Sequence, residues 1–445
     1  MNSTPLNWQE EYEGKIVSAE EAASIVKSGD RVSITYGREP RSAGLALAAR
    51  LGEIQDIRVF VRTPSIDFGW YDSGWESSFN IDISYVLPIV REMAAQRRCD
   101  FVIGGVQGII PEHPVVSEVD VLLTEVSTPD KHGYCSFGAS VWGKKRAIQN
   151  AKKIIAEVNP NLIRTYGDNY IHISEIDYFV KHTPSGQPPG GTDLLGRTTR
   201  EPGEVESNIS NLVSTIIKDG NTLQIGVGST SEWVVKTGAL NNKLDLGWHS
   251  ETTPQGIIKL VIDGVITGKY KQIDQGKVVA LAIGGGTKEE MDFVDGNPTF
   301  ELYDADYVLD PKIIGSNDNV SAINSIISVD LTGQIAAESI GPAMVSGPGG
   351  QLAFAIGAQM SKNGQYICTM PSTAKDGTLS RIVPLLAQGT IVTVPRTLAD
   401  IVVSEYGIAR LKGKSQRERS IELISIAHPD FRTELKKQAE RLYWP

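Results

Sequence analysis

Short apolar runs set the tightest limit on what this chain can fold into. Runs of roughly four to seven residues, rich in Val and Ile and closed by Gly, Asp or Pro, alternate with longer segments of helical period. Runs of that length without polar alternation are strands buried on both faces, which is how a parallel sheet covered by helices reads. Val32 to Thr35, Asp100 to Ile103, Val119 to Thr124, Ile154 to Val158, Thr222 to Ile225, Val278 to Ile283 and Thr390 to Val394 are the clear cases. Ala19 to Lys27 and Ile209 to Lys218 read as amphipathic helices that stop at Gly29 and Gly220.

Those two helices carry a repeat. Ile25, Lys27, Gly29 and Ile34 recur as Ile216, Lys218, Gly220 and Ile225, each 191 positions later, and Ser174-Glu175 is echoed by Ser404-Glu405. Two generic helix-Gly-strand units would give part of this. Duplication accounts for more of it, so the expected architecture is α/β, with two related open-sheet lobes facing across a central cleft. The stretch HTPSGQPPGGTDLLGRTTREPG is dense in Pro and Gly and has no period. It divides an amino-terminal α/β domain, 1–185, from a carboxyl-terminal one, 204–445, through a linker at 186–203.

Composition excludes several classes. With 445 residues, 40% apolar and 22% charged, the chain has the make-up of a globular protein large enough for two or three cores. Its 43 basic against 53 acidic side chains, with no long basic cluster, argue against nucleic acid as a partner. Cys99, Cys135 and Cys368 form neither a disulfide framework nor a zinc motif, and a reducing cytoplasm suits them. The start, MNSTPLNWQEEYEGK, is polar and acidic rather than a signal peptide, and no run reaches the roughly 18 apolar residues of a membrane span.

Glycine loops are the first candidates for chemistry. In TLQIGVGSTSEWVV a buried strand ends in Gly226-Val227-Gly228, and Ser229 with Glu232 has capping-box spacing. A helix starting there would aim backbone N–H groups at the strand's carboxyl end and attract an anion, although a plain strand-helix turn reads the same way. Gly347, Gly349 and Gly350 in VSGPGGQLAFAIGA let backbone approach a ligand closely or swing through positive φ; a surface turn needs glycine too. Ser372, Lys375 and Arg381 surround a turn in MPSTAKDGTLSRIVP, where solvated charge is the plain reading. The six histidines show no ligand spacing, so no metal is expected, and there is no GxSxG elbow. A Cys135/His132 nucleophile pair lacks an orienting acid.

One carboxylate is out of place. His249-Ser250-Glu251 lies between two apolar segments in LDLGWHSETTPQGIIKLVIDGVI. Taken alone, Glu251 would be an ordinary loop charge. Together, SAEEAASIVKSGDRV, STPDKHGYCSFGAS, IIAEVNP, TLQIGVGS, GWHSE, GVITGKYK, DNVSAINSIISVDLTGQIAAESIG, SGPGGQ, SRIVP and VVSEYGIARLKGKSQRERSIELISIAHPDFR resemble the family I coenzyme A-transferases over nearly the whole chain. The group resembled is that of 4-hydroxybutyrate CoA-transferases and acetyl-CoA hydrolase/transferases, with phrasing also similar to members that activate itaconate or related dicarboxylates.

The resemblance implies that Glu251 is the nucleophile of a ping-pong cycle. Its carboxylate attacks an acyl-CoA thioester, giving an acyl-glutamyl anhydride and CoA thiolate. The thiolate then attacks the glutamyl carbonyl, releasing the donor acid and leaving a glutamyl-CoA thioester, and an acceptor acid reverses the sequence. A glutamate of ordinary pKa, about 4.3, needs no general base for this at neutral pH. The resemblance further implies that Gly226, Val227, Gly228, Ser229 and Thr230, with Gly347, Gly349 and Gly350, hold the thioester end of CoA. Ser372 and Lys375 are candidates for its tail, where Lys would meet phosphate. The resemblance also implies coenzyme A as a substrate, no resident cofactor or metal, and, as is common in the family, a homodimer or a dimer of dimers. Thr252-Thr253-Pro254 departs from the Met that often follows the nucleophile, which leaves the acceptor open among 4-hydroxybutyrate, butyrate, acetate and itaconate. Two other readings stand beside transfer: hydrolysis of acyl-CoA by the same glutamate, and a non-catalytic sensor of CoA esters or sugar phosphates.

Overall fold

The computed structural model describes residues 7–103, 117–184, 201–228, 230–284 and 287–444. Within these, the chain forms two compact units, one from residues 7–184 with 281–306, the other from 201–280 with 307–444. Most of the Pro/Gly-rich linker expected at 186–203 lies outside the described residues, as do His113 and Ser229.

In the first unit the sheet runs Tyr178–Lys181, Ala151–Val158, Val119–Val126, Arg31–Ile34, Ile57–Val61, Phe79–Ile83, Cys99–Phe101, with every neighbouring pair parallel. The earliest strand is central. The next three are added on one side and the last three on the other. The second unit repeats this winding. Thr222–Ile225 is central, Gly247–Thr253 lies to one side, and Val320–Ser325, Gln365–Thr369 and Ile401–Ser404 lie in parallel to the other, closed by antiparallel Gly407–Arg410. The duplication expected from Gly29 and Gly220 is thus visible in the topology: each has positive φ, 86° and 72°, and each leads into the central strand of its unit. The Ser-Glu echo is not, because Ser174 sits in a 3-10 turn beside a small antiparallel pair while Ser404 ends a main-sheet strand.

Burial explains the strands. Val278–Ile283 is buried at all six positions, as are all four of Thr222–Ile225, and sequestering each such Val, Leu or Ile contributes about 1.5–3 kcal/mol. Thr390 to Val394 does not form the expected strand. Val394 makes only an isolated bridge to Ile335, between a turn at Gly389 and Pro395, and Ile391 and Val392 are exposed. Helix ends also differ from the periodicity. The helix expected from Ile209 begins at Glu204, because Glu206 reaches back to the Gly203 N–H at 3.0 Å. The one expected to reach Lys27 ends at Ala23, and Asp30 takes the Lys27 N–H at 2.7 Å. Among the described residues no helix is long and apolar enough to cross a membrane.

Candidate active site

Glu251 lies near the carboxyl end of the strand Gly247–Thr253, and it is the one residue of that strand not classed as buried. The pairing Thr222↔Gly247 and Leu223↔Trp248, continued, sets Glu251 level with Gly226 on the central strand's exit. Side chains alternate along a strand, so His249 and Glu251 share a face. That face is covered by the helix Gln351–Met360. Its cap residue Gly350 donates its N–H to Glu251 Oε2 at 2.8 Å, and Phe354, one turn on, packs its ring 6.4 Å from His249. Two residues of strand span about 6.6 Å and one helical turn about 5.4 Å, so the two elements meet in step. A carboxylate at a helix amino terminus is favoured by the macrodipole. A Cβ on Gly350 would lie 2.7 Å from Glu251 Oε2 and 2.6 Å from Leu309 Cδ2, so any side chain there would push the ends of those two side chains aside.

His249 is buried, and its Nε2 donates to the Val308 carbonyl at 3.0 Å. Burial, and then the nearby Lys271, depress its pKa to about 3, so the ring is neutral and Nδ1 carries a lone pair. Lys271 is buried with its ammonium on the carbonyls of Trp248 and Lys277, both at 3.1 Å.

The loop after Thr222–Ile225 is tied down by hydroxyls. Thr230 N and Ser231 N donate to Ser325 Oγ at 3.2 and 3.0 Å, Thr230 Oγ1 meets Thr369 Oγ1 at 2.8 Å, and Ser231 Oγ donates to Gly226 O at 2.5 Å. These bonds pull 230–232 into a turn, so the helix expected from Ser229 starts only at Trp233 and is four residues long. Gly226 and Gly228 are needed for close approach: a Cβ on either would lie 2.5 Å from Asn324 Oδ1 or 2.4 Å from Ser325 Oγ. Val227 between them is exposed. Of the second glycine cluster, Gly349 has φ 53°, Gly350 reaches the carboxylate, and Gly347 lies in the preceding loop.

Ser372 is wholly buried, with its N–H and Oγ both donating to Glu405, at 2.8 and 2.6 Å. Lys375 stands exposed at the tip of the hairpin Thr373–Ala374/Leu379–Ser380, with φ 48°. Ser325, Thr369 and Glu405, which hold these loops, were not singled out from the sequence. Ser325 and Glu405 fall inside stretches that carry the family resemblance, and Glu405 also in the Ser404-Glu405 echo, but neither signal gives them a role. Cys135 is buried, which pushes its thiol up to about 12, while His132 is exposed, so no thiolate pair forms there.

In the first unit Glu125, Glu157 and His182 bring potential ligand atoms within 4.8 Å of one another. Their oxygens are already engaged. Glu125 pairs with Arg38 and accepts from Asn159 at 2.8 Å. Glu157 accepts from His182 Nδ1 at 2.7 Å and from the N–H groups of Ser42 and Ala43 at 2.6 and 3.2 Å. An arginine in contact with one carboxylate makes this a charge network rather than a cation cage.

Two α/β units share one winding, and the second carries a glutamate and glycine loops at the carboxyl edge of its sheet, where ligands of open α/β sheets generally bind. The chain belongs to the acetyl-CoA hydrolase/transferase family, whose amino-terminal domain matches residues 1–185 and whose carboxyl-terminal domain matches 286–439. It is 40% identical over 443 residues to a 4-hydroxybutyrate coenzyme A transferase of Clostridium kluyveri, covering 98% of this chain and all of that one. It is 38% identical to a succinyl-CoA:cyclohexane-1-carboxylate CoA transferase of Geobacter metallireducens, over 98% of this chain and 97% of the relative. The crystal structure of RipA from Yersinia pestis superposes with a TM-score of 0.89 at 31% identity, covering 99% of this chain and all of the other.

Proposed function

We propose that this protein is an acyl-CoA:carboxylate CoA-transferase whose nucleophile is Glu251. The observation that carries the reading is the Glu251 carboxylate at the amino terminus of the helix Gln351–Met360, part-exposed on an otherwise buried strand and held by the Gly350 N–H. A fixed carboxylate of this kind attacks a thioester carbonyl without a general base. Donor and acceptor then exchange through the anhydride and the glutamyl-CoA thioester, and because one thioester replaces another the cycle needs no ATP. The glycine loops at Gly226 and Gly349 hold the thioester end of CoA, and Lys375 is placed in solvent to meet a phosphate of its tail. The acceptor is a small carboxylic acid. The two relatives act on acids as different as 4-hydroxybutyrate and cyclohexane-1-carboxylate at nearly equal identity to this chain, so likeness alone does not choose between acceptors.

The test is to incubate the protein with acyl-CoA, trap with borohydride or hydroxylamine, and map the modified peptide by mass spectrometry. A mark on Glu251 that appears with acyl-CoA and is erased by the acceptor acid is expected. Steady release of thiol with no acid present would show hydrolysis instead. Glu251→Asp draws the attacking oxygen back by about 1 Å and is expected to lose on the order of 100-fold in turnover. Near-full activity in that variant, or no label on residue 251 in an active protein, overturns the reading.

A further inference from the structure

We infer that His249 is a positioning residue for this nucleophile, acting as a neutral hydrogen-bond donor that fixes the Gly350 N–H against Glu251. The inference rests on the role proposed for Glu251 and deepens it. Three segments close a ring around the carboxylate. On the strand, His249 and Glu251 point to the same face. On the connecting segment, the short helix Ala305–Val308 and Leu309 just after it, the Val308 carbonyl receives the His249 Nε2–H. On the helix, Gly350 gives its N–H to Glu251, and any Cβ on it would lie 2.6 Å from Leu309 Cδ2. Phe354 N–H bonds back to Gly350 O at 3.0 Å, and the Phe354 ring meets the imidazole edge-on, at 68°. The path from His249 to the nucleophile is therefore short and made of contacts: imidazole to the Val308 carbonyl, Leu309 to Gly350, Gly350 to carboxylate.

The chemistry of the imidazole suits that task. A carbonyl only accepts, so the proton sits on Nε2. The ring is buried, and an ionised ring would be costly there with the Lys271 ammonium close by. A proton shuttle would need the ring to change charge during turnover, which its burial opposes. What it supplies is a fixed distance between strand and connecting segment, in a place where a shorter or purely apolar side chain would leave the Val308 carbonyl buried without its partner.

The experiment compares His249→Phe with His249→Gln in the full-length protein. Phe fills the ring's space without a donor, while the Gln amide reaches about where Nε2 does. His249→Phe is expected to slow formation of the Glu251-linked thioester by on the order of 10–100-fold, with the KM for acyl-CoA nearly unchanged. His249→Gln should recover most of that rate. Hydrogen–deuterium exchange of the peptide containing Gly350 should quicken in the Phe variant and return toward wild type in the Gln variant. Equal rates in the two variants, or a Phe variant as fast as wild type, would overturn the inference even if Glu251 is labelled normally. An effect on KM or on thermal stability alone would overturn it too. Failure of wild-type protein to label at Glu251 would instead remove the functional reading and this inference with it.

Discussion

Setting Ile34 of the first unit against Ile225 of the second aligns the two sheets strand by strand, and the same edge then carries opposite chemistry. Glu125 and Glu157, direct partners on neighbouring strands, fall opposite Ser325 and Thr369, which are partners in the same way. On the other side of the central strand Arg62 falls opposite Glu251. In the first unit the carboxylates close the edge: Glu157 has no exposed side-chain surface and is saturated by His182, Ser42 and Ala43. In the second unit hydroxyls tie the loop down at those positions, and the carboxylate lies across the central strand, on Gly247–Thr253. There it meets a helix amino terminus and remains part-exposed. Both units bring a carboxylate to helix-terminal N–H groups. Access, not the electrostatic device, separates the structural carboxylate from the one proposed as nucleophile.

The comparison breaks most visibly at Gly350. In Gly350→Ala the new methyl would overlap Glu251 Oε2 and Leu309 Cδ2, so the carboxylate must shift by a large fraction of an ångström. Turnover in the CoA-transfer assay is expected to fall on the order of 100-fold, since a displacement of about 1 Å at the reacting atom has that effect. Wild-type turnover in this variant would mean that the helix terminus does not set the nucleophile.

The reciprocal change in the first unit should act on stability instead. Glu157→Ala leaves two buried helix-terminal N–H groups without their acceptor and His182 with Glu125 alone, 3.4 Å away. Each buried donor left unsatisfied costs about 1–3 kcal/mol, read as a lower unfolding free energy in urea. Turnover per native molecule should stay close to wild type. A loss of turnover without a loss of stability would place Glu157 in the chemistry and erase the distinction between the two carboxylates.

The sequence showed the strands more clearly than their surroundings. Thr222–Ile225 and Val278–Ile283 match their expected bounds residue for residue: Val278–Ile283 is apolar throughout, as burial at every position favours, and each strand stops at a glycine, Gly226 or Gly284. Thr390 to Val394 has the same composition, but a strand also needs a partner along its length, and that is a tertiary fact. Helix ends moved because single side chains, Glu206 and Asp30, decide where the backbone N–H groups go. At the site, the glutamate was identifiable only through family resemblance. Its hold on Gly350 spans 99 positions of sequence, and no local pattern reports a contact of that range. The seats of Thr230 and Ser231 on Ser325 and Thr369 were hidden for the same reason, and they are why the helix expected at Ser229 starts late.

The smallest expected effect sharpens the first unit's side of the comparison. Lys144 is buried, has no hydrogen-bond partner for its Nζ among the described residues, and stands near Glu125, Arg38 and Asp304. Burial lowers its pKa from 10.5 to about 7, against the pull of Glu125. Between those two values the unfolded chain holds a proton that the folded one has lost. Stability from this group therefore rises with pH across the window and is least at and below about pH 7, with a limiting slope of about 1.4 kcal/mol per pH unit. Lys144→Met should remove that rise and so flatten the unfolding free energy measured in urea from pH 7 to 9. If wild type and variant show the same slope, Lys144 keeps its proton in the folded state. The first unit's edge would then hold a full positive charge beside Arg38, balanced by Glu125 and Asp304, rather than a neutral amine behind a single ion pair.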